Sequence, residues 1–83
     1  MDWFEAKKAC EKLGKGWRLP TLNELLIMYK NRDKIGGFGS KGYWSSAEEK
    51  TMLAWYFSFA VADGLNGSDY KTKTNHVRAV RTF

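Results

Sequence analysis

The strongest constraint in this sequence is a run of alternating side chains that ends in a tight-turn signal. From Ala54 to Ala62 large apolar residues alternate with smaller or amphipathic ones, and a period of two residues is typical of a β-strand. Asp63-Gly64 follows directly, and this dipeptide favours a hairpin turn. We therefore predict an antiparallel hairpin whose returning strand covers residues 65–73, broken near Asn66-Gly67.

The two faces of the strand at 54–62 carry different side chains. One face holds large apolar residues that we expect to pack on the core: Trp55, Phe57, Phe59 and Val61. The other face holds residues that we expect to be presented to solvent: Tyr56, Ser58, Ala60 and Ala62. We also predict a short strand at 43–46, a loop at 48–52 and a closing strand at 76–82.

The first half of the chain reads as two capped helices. Asp2 with Glu5, and Thr21 with Glu24, have the spacing of a capping box. The first helix is predicted over 3–13, with Leu13 on its buried face and Gly14 as its C-terminal cap. The second helix is predicted to end near residue 31, with a buried stripe formed by Leu22, Leu25, Leu26 and Tyr29.

Residues 32–42 contain four glycines and much charge, so we predict a loop that Ile35 and Phe38 fasten to the core. The whole chain, 1–83, then forms a single α+β domain in which two helices pack on a twisted antiparallel sheet. Residues 1–42 form its helical scaffold half, and residues 43–83 form a β half that carries the expected binding surface.

The single cysteine excludes an intramolecular disulfide and a CxxC zinc site. A chain of 83 residues buries only about 60% of the surface of its unfolded form, so its core is marginal. Cys10 falls on the apolar face of the first predicted helix, so we interpret it as a small core residue. The longest apolar stretch is too short to span a membrane. Asp2 and Glu5 stand where a signal peptide would be basic, so we expect a chain that is cytoplasmic when made or exported as part of a larger assembly.

A few polar residues could belong to a catalytic or metal site. Ser45, Ser46 and His76 could supply a nucleophile and a base, but the serines suit backbone hydrogen bonds and His76 suits an exposed position before a strand. The isolated Asp63 and Asp69 do not form a calcium-binding cluster. We expect no catalytic residue, no metal and no cofactor, and we expect structural roles for three arginines: Arg18, Arg78 and Arg81.

The net charge of +5 leaves nucleic-acid binding open as an alternative. Such a surface would combine basic and aromatic side chains: Lys71, Lys73, Arg78 and Arg81 with Tyr56 and Tyr70. Asp63 and Asp69 interrupt this cluster, and the simpler interpretation is ordinary solubility charge. The sequence therefore disfavours nucleic acid as the partner.

Several motifs occur in an order that resembles a known family. WRLPT at 17–21 is followed by Glu24, then YWSS at 43–46, and finally VRAVR at 77–81; Trp55, Phe59, Gly64 and Lys71 fit between them. This pattern resembles the prokaryotic C-type-lectin-like domains of the Lcl C-terminal kind, relatives of the formylglycine-generating enzyme fold. The resemblance covers nearly the whole chain and implies a C-type-lectin-like fold.

The end of the chain is also similar to the variable proteins that retroelements diversify in phages and gut bacteria. In those proteins a fixed lectin-like scaffold displays rewritten side chains that bind a receptor. The resemblance implies a non-enzymatic module for a cell-surface protein or glycan, located on a phage virion or a bacterial surface. It implies these display positions: Tyr56, Ser58, Ala60, Leu65, Gly67, Ser68, Asp69, Tyr70, Thr72, Thr74 and His76.

The resemblance has two further implications, one for function and one for self-association. A degenerate or accessory domain of the formylglycine-generating fold is an alternative, although the paired cysteines used by those enzymes have no counterpart in a chain with one cysteine. Lectin-like domains also place a strand before their first helix, and here the predicted helix starts at residue 3. A sheet edge left open in this way allows self-association with a second copy.

Overall fold

The structure, a computed structural model, describes residues 1–37, 42–59 and 65–82. In chain order these residues form α1 (Trp3–Glu11), β1 (Trp17–Arg18), α2 (Leu22–Lys30), α3 (Arg32–Ile35), β2 (Gly42–Lys50), β3 (Leu53–Ser58), β4 (Leu65–Tyr70) and β5 (Val80–Arg81). Strands β2, β3 and β4 form an antiparallel sheet in that order, and β1 pairs with β5 in a second, two-stranded sheet. The predicted α+β class is confirmed, with two sheets in place of the expected single one.

Both long helices begin at the residues that the sequence indicates. The Asp2 carboxylate accepts a hydrogen bond from the Glu5 N–H at 2.8 Å, and the Glu5 carboxylate accepts one from the Asp2 N–H at 3.0 Å. Thr21 and Glu24 make the same reciprocal pair at the start of α2. These bonds satisfy N–H groups that have no partner inside the helix, and both predicted capping boxes are confirmed.

Two expectations for the helical half are wrong. Helix α1 ends at Glu11, and Leu13 is 61% exposed because the chain turns away at Gly14, whose φ is +132°. Residues 32–35 form the short helix α3 rather than a loop, and Ile35 is 46% exposed, so it does not fasten this segment to the core. Phe38, the other expected anchor, lies outside the described residues.

Strand β3 lies between two hydrophobic clusters. The first cluster, on the α1 side, comprises Trp3, Ala6, Cys10, Leu19, Trp44 and Ala54. The second cluster, on the α2 side, comprises Leu25, Tyr29, Tyr43, Phe57 and Phe59. Both faces of β3 are therefore packed, because successive side chains of a strand point to opposite faces. The face of β3 that carries Tyr56 was predicted to be presented to solvent. This prediction is wrong at the start of the strand, because Ala54 is fully buried and Tyr56 packs on the first cluster.

The predicted antiparallel pairing of β3 with β4 is confirmed, but the register is not that of a two-residue turn at Asp63-Gly64, which would place Ala62 opposite Leu65; Leu65 lies opposite Ser58 instead. The pairing runs without interruption from Ser58 opposite Leu65 to Leu53 opposite Tyr70, so the break expected in the returning strand is absent. Ala60, Val61, Ala62 and the Asp63-Gly64 turn lie outside the described residues. Strand β2 is longer than predicted and runs to Lys50 through two register shifts.

The final segment follows two strands in succession instead of forming one strand. The His76 N–H donates to the Gly42 carbonyl at 2.9 Å, and the Trp44 N–H donates to the His76 carbonyl at 3.0 Å. The chain then leaves β2, and β5 pairs with β1. The single strand predicted over 76–82 is therefore wrong, because its two ends bond to different partners.

Candidate binding surface

Lys71 is a buried lysine that fastens the end of β4 to the rest of the domain. It is 3% exposed, and its ammonium group donates to the Glu48 carboxylate at 2.9 Å and to the Thr51 carbonyl at 2.8 Å. The same group lies 4.5 Å from the centre of the Trp3 ring, in the geometry of a cation–π contact. The hydrogen bond from Lys71 lowers the pKa of the Glu48 carboxyl.

This arrangement weakens the nucleic-acid alternative. A phosphate-binding lysine must present its ammonium group to solvent, whereas that of Lys71 is enclosed and already bonded. The role expected for Lys71 in that alternative is wrong. Arg78 donates to the Gly36 carbonyl at 3.3 Å, which agrees with its predicted structural role.

Ser45 is part of the scaffold. Its side chain is fully buried, and its hydroxyl donates to the Trp55 carbonyl at 2.8 Å and accepts from the Ala47 N–H at 3.1 Å. These bonds replace ladder bonds where the register of β2 shifts. The predicted backbone-bonding role of Ser45 is confirmed, and His76 is exposed as predicted. Burial also raises the pKa of the Cys10 thiol, helped by the nearby Glu11, which disfavours the reactive thiolate.

Arg18 joins three parts of the chain. Its guanidinium contacts both oxygens of the Glu24 carboxylate, at 2.6 and 2.9 Å, and its Nε donates to the Thr82 hydroxyl at 2.8 Å. The bidentate bond from Arg18 lowers the pKa of Glu24 to about 2. The predicted role of Arg18 as a fork that connects loops is confirmed, with Glu24 as its partner.

The ring of Tyr56 lies between two glycines of the neighbouring strands. A Cβ atom added at Gly67, its cross-strand neighbour, would be 2.6 Å from the Tyr56 hydroxyl oxygen, and one added at Gly42 would be 2.9 Å from Tyr56 Cδ1. The ring therefore occupies the space of the side chains that these glycines lack. Tyr56 and Gly67, both expected display positions, are sterically dependent on each other.

The remaining expected display positions differ in exposure. Ser58 and Asp69 are half-buried, Ala60 lies outside the described residues, and the description of Leu65 is limited to its backbone. Five positions are exposed, and they form a stretch of alternate residues along β4 and the segment after it: Ser68, Tyr70, Thr72, Thr74 and His76. Tyr70 is 57% exposed.

Sequence reasoning missed two polar residues beside this stretch. Asn66 is exposed and shares a face of β4 with Ser68 and Tyr70. Asn75 lies in a groove of about 260 Å³ that Met1, Thr74 and His76 complete. Its Nδ2 is buried and has no acceptor within the described ranges. The alternation of residues 66, 68 and 70 was a usable signal for Asn66, whereas the groove depends on the fold.

A second groove, of about 180 Å³, lies between α1, β1 and β2. Trp3 and Leu19 form its floor and are almost fully buried, while Arg18 and Glu48 at its rim are already paired. Its volume is below the usual range of about 300–1,000 Å³ for small-molecule sites.

Two features of the described residues bear on other functions. They contain no group of three or more His, Cys, Asp or Glu side chains placed to hold a metal ion. None of the helices described is long and apolar enough to cross a membrane.

The fold and the surface together define a small α+β domain in which a packed scaffold carries an exposed hairpin edge. Comparison with protein families gives the particular class: residues 1–81 match the Lcl C-terminal domain, and the chain belongs to that family. None of the curated proteins is similar enough to this chain to match it.

Proposed function

We propose that this domain is a non-enzymatic binding module of the C-type-lectin-like fold. Its contact surface comprises the exposed side chains of β4 and of residues 71–76, and its ligand is a protein or a glycan on a cell surface. The observation that carries the proposal is the separation of this surface from the core. Of residues 66–76, only Lys71 is buried, so the other side chains can serve a ligand instead of the fold.

The backbone beneath these side chains is firmly held, which supports the proposal. Strand β4 is paired along its whole length with β3. Beyond it, the Trp3 N–H donates to the Lys71 carbonyl at 2.9 Å, and the Asn75 N–H donates to the Met1 carbonyl at 3.0 Å. Side chains on an ordered backbone lose less entropy when they bind, and Tyr, Ser and Asn are favoured contact residues in paratopes.

Diversification by a retroelement is the finer part of the proposal, with the domain carried on a phage virion or a bacterial surface. The exposed residues 68, 70, 72 and 74 belong to neither hydrophobic cluster, whereas the ring of His76 lies 5.3 Å from that of Tyr43 in the second cluster. Near-identical copies of the gene from related genomes provide the test. We expect substitutions to concentrate at residues 56–76 and to spare Lys71; an even spread along the chain would contradict diversification.

Binding is tested with the fluorescently labelled domain on a panel of bacterial cells. One variant replaces Ser68, Tyr70, Thr72 and Thr74 together by alanine. A matched control replaces three exposed residues of α2 by alanine: Asn23, Ile27 and Lys30. We expect the first variant to lose cell binding and the control to retain it, with both folded. The proposal fails if the wild-type domain binds no cell type, or if the two variants bind equally well.

A further inference from the structure

Strand β4 is the open edge of the three-stranded sheet. The opposite edge, on β2, is covered, because Trp44 and Gly42 bond to His76 and the Ser46 N–H donates to the Pro20 carbonyl at 2.8 Å. Within the described ranges no further strand pairs with the outer side of β4. An edge strand offers unpaired N–H and C=O groups to an incoming chain.

The hydrogen-bond pattern determines which residues of β4 turn these groups outward. In an antiparallel pair the residues alternate between those that bond to the neighbouring strand and those that point away from it. The Lys71 N–H donates to the Met52 carbonyl at 2.9 Å, so the Lys71 backbone points inward. Because the direction repeats at every second residue, the backbone groups of Gly67 and Asp69 also point inward, toward β3. Those of Asn66, Ser68 and Tyr70 point outward.

A second bond gives the same assignment independently. The Trp55 carbonyl accepts from the Ser45 hydroxyl at 2.8 Å, so the Trp55 backbone points toward β2. Its neighbours Ala54 and Tyr56 must then point toward β4, where they lie opposite Asp69 and Gly67. The backbone groups of Asn66 and Ser68 are thus directed away from the sheet.

The open edge is short because one end of it is closed. The outward N–H of Tyr70 donates to the Asp69 carboxylate at 3.0 Å, and the Tyr70 carbonyl accepts from the Lys73 N–H at 2.9 Å. Asn66 and Ser68 remain, with one donor and one acceptor each, and no partner for these groups exists on the outer side among the described residues.

The side chains around this edge differ between its two faces. On one face the Tyr56 hydroxyl lies over Gly67, close to the edge. On the other face Ser68 and Tyr70 are exposed, and half-buried Trp55 lies opposite Ser68 in the register. A chain lying beside β4 would therefore place alternate side chains near Tyr56 and near the Tyr70 face.

We propose that this edge binds an extended segment of a protein partner, which adds a strand to the sheet beside β4. The inference rests on the proposed binding function and selects a peptide backbone as the ligand. A peptide matches the alternating donors and acceptors of Asn66 and Ser68, which a sugar ring does not repeat at strand spacing. A second copy is disfavoured because each chain carries a net charge of +5.

The backbone assignment is tested first, on the chain alone, by amide hydrogen exchange measured with NMR. We expect the Asn66 and Ser68 amides to exchange about tenfold faster, or more, than those of Gly67 and Asp69, which bond to β3. Equal protection at these four positions would overturn the proposal, because the outward groups would then not be open.

Ligand class is tested with a displayed library of random short peptides and, in parallel, with a glycan array. Peptides enriched on the wild-type domain are measured against Ser68→Pro, which removes the outward donor, and against Ser68→Ala, which keeps it. We expect about a tenfold or larger loss of affinity for Ser68→Pro and a clearly smaller loss for Ser68→Ala, which removes only a side-chain hydroxyl of the contact surface. Circular dichroism and thermal unfolding establish that both variants fold; if Ser68→Pro does not, N-methylation of the Ser68 amide in synthetic protein replaces it.

Each other result counts against strand addition. An absence of enriched peptides, or equal affinity of Ser68→Pro and wild type, would overturn it. Binding to glycans alone, insensitive to Ser68→Pro, would keep the binding module and remove the peptide ligand. If sedimentation experiments show a dimer and Ser68→Pro is monomeric, the edge binds a second copy of the chain instead. Failure of the wild-type domain to bind any cell would remove the proposed function itself.

Discussion

Tyr56 and Gly67 should show a large coupling energy, because the ring of one fills the side-chain space of the other. A Cβ atom at Gly67 would be 2.6 Å from the Tyr56 hydroxyl oxygen, closer than ordinary van der Waals contact by about 1 Å. Overpacking of this kind destabilises by about 1–3 kcal/mol. Replacing glycine by alanine within a strand otherwise stabilises by about 0.5–1 kcal/mol, so in the wild-type background the two effects partly cancel.

The background at position 56 separates these effects. With Tyr56→Ala the ring is gone, and Gly67→Ala should stabilise by about 0.5–1 kcal/mol. With Tyr56 present the same change should be neutral or destabilising, giving a coupling energy of about 1–3 kcal/mol. Urea unfolding of wild type, both single variants and the double variant measures it. Additivity within about 0.5 kcal/mol would refute the steric dependence.

Three further predictions concern the scaffold. Gly16→Ala should destabilise by about 2–4 kcal/mol, because its φ is +87° and the added Cβ would meet a backbone oxygen at 2.7 Å. Gly36→Ala, with φ +74° and open space around the added Cβ, should destabilise by about 1–2 kcal/mol, and thermal unfolding of the two variants compares them. Lys71→Met should lower the melting temperature by about 5–10 °C, since it leaves a carbonyl and a carboxylate without their donor; an unchanged melting temperature would contradict this role. Glu24→Gln should destabilise by about 1 kcal/mol at neutral pH, because it removes the charged partner of Arg18. The effect is no larger because Arg18 is partly exposed and water screens the ion pair. Since the folded pKa of Glu24 is depressed from 4.5 to about 2, the wild type should lose this stability as the pH falls through that window, and Glu24→Gln should not.

The parts of the fold that the sequence predicted are those determined locally. Each capping box needs residues only three positions apart, and both formed as expected. The antiparallel pairing of β3 with β4 also follows from local alternation, although its register differs from the one that a two-residue Asp63-Gly64 turn would give. The end of α1 was missed because Leu13 satisfies the helical period, while Gly14 diverts the chain before Leu13 can reach the core.

Burial of Tyr56 could not be predicted from the strand itself. Alternation correctly places Tyr56 and Phe57 on opposite faces, but it does not show that α1 covers one face and α2 the other. Nor does it show that glycines 42 and 67 flank the ring across two neighbouring strands. Both facts depend on register and tertiary packing, which a period of two residues leaves undetermined.

Lys71 illustrates a signal that was present but interpreted in two ways. Its charge suggested a surface residue in the nucleic-acid alternative, yet it also stood among the family motifs and outside the display positions. The structure agrees with the second interpretation, because Trp3, Glu48 and Thr51 surround its ammonium group. A lysine is rarely buried without a partner, and these partners come from two parts of the chain, residue 3 and residues 48–51, that only the fold brings to Lys71.

The most direct test of the central claim is a single scan that measures folding and binding in the same library. Every residue from 42 to 82 is substituted in turn on displayed protein, with protease resistance as the readout of folding and capture by a bound cell type as the readout of binding. We expect substitutions that abolish binding without loss of folding to fall among the exposed residues of 66–76. The claim is contradicted if binding is lost only where folding is lost. It is also contradicted if the substitutions that abolish binding without loss of folding lie outside residues 66–76.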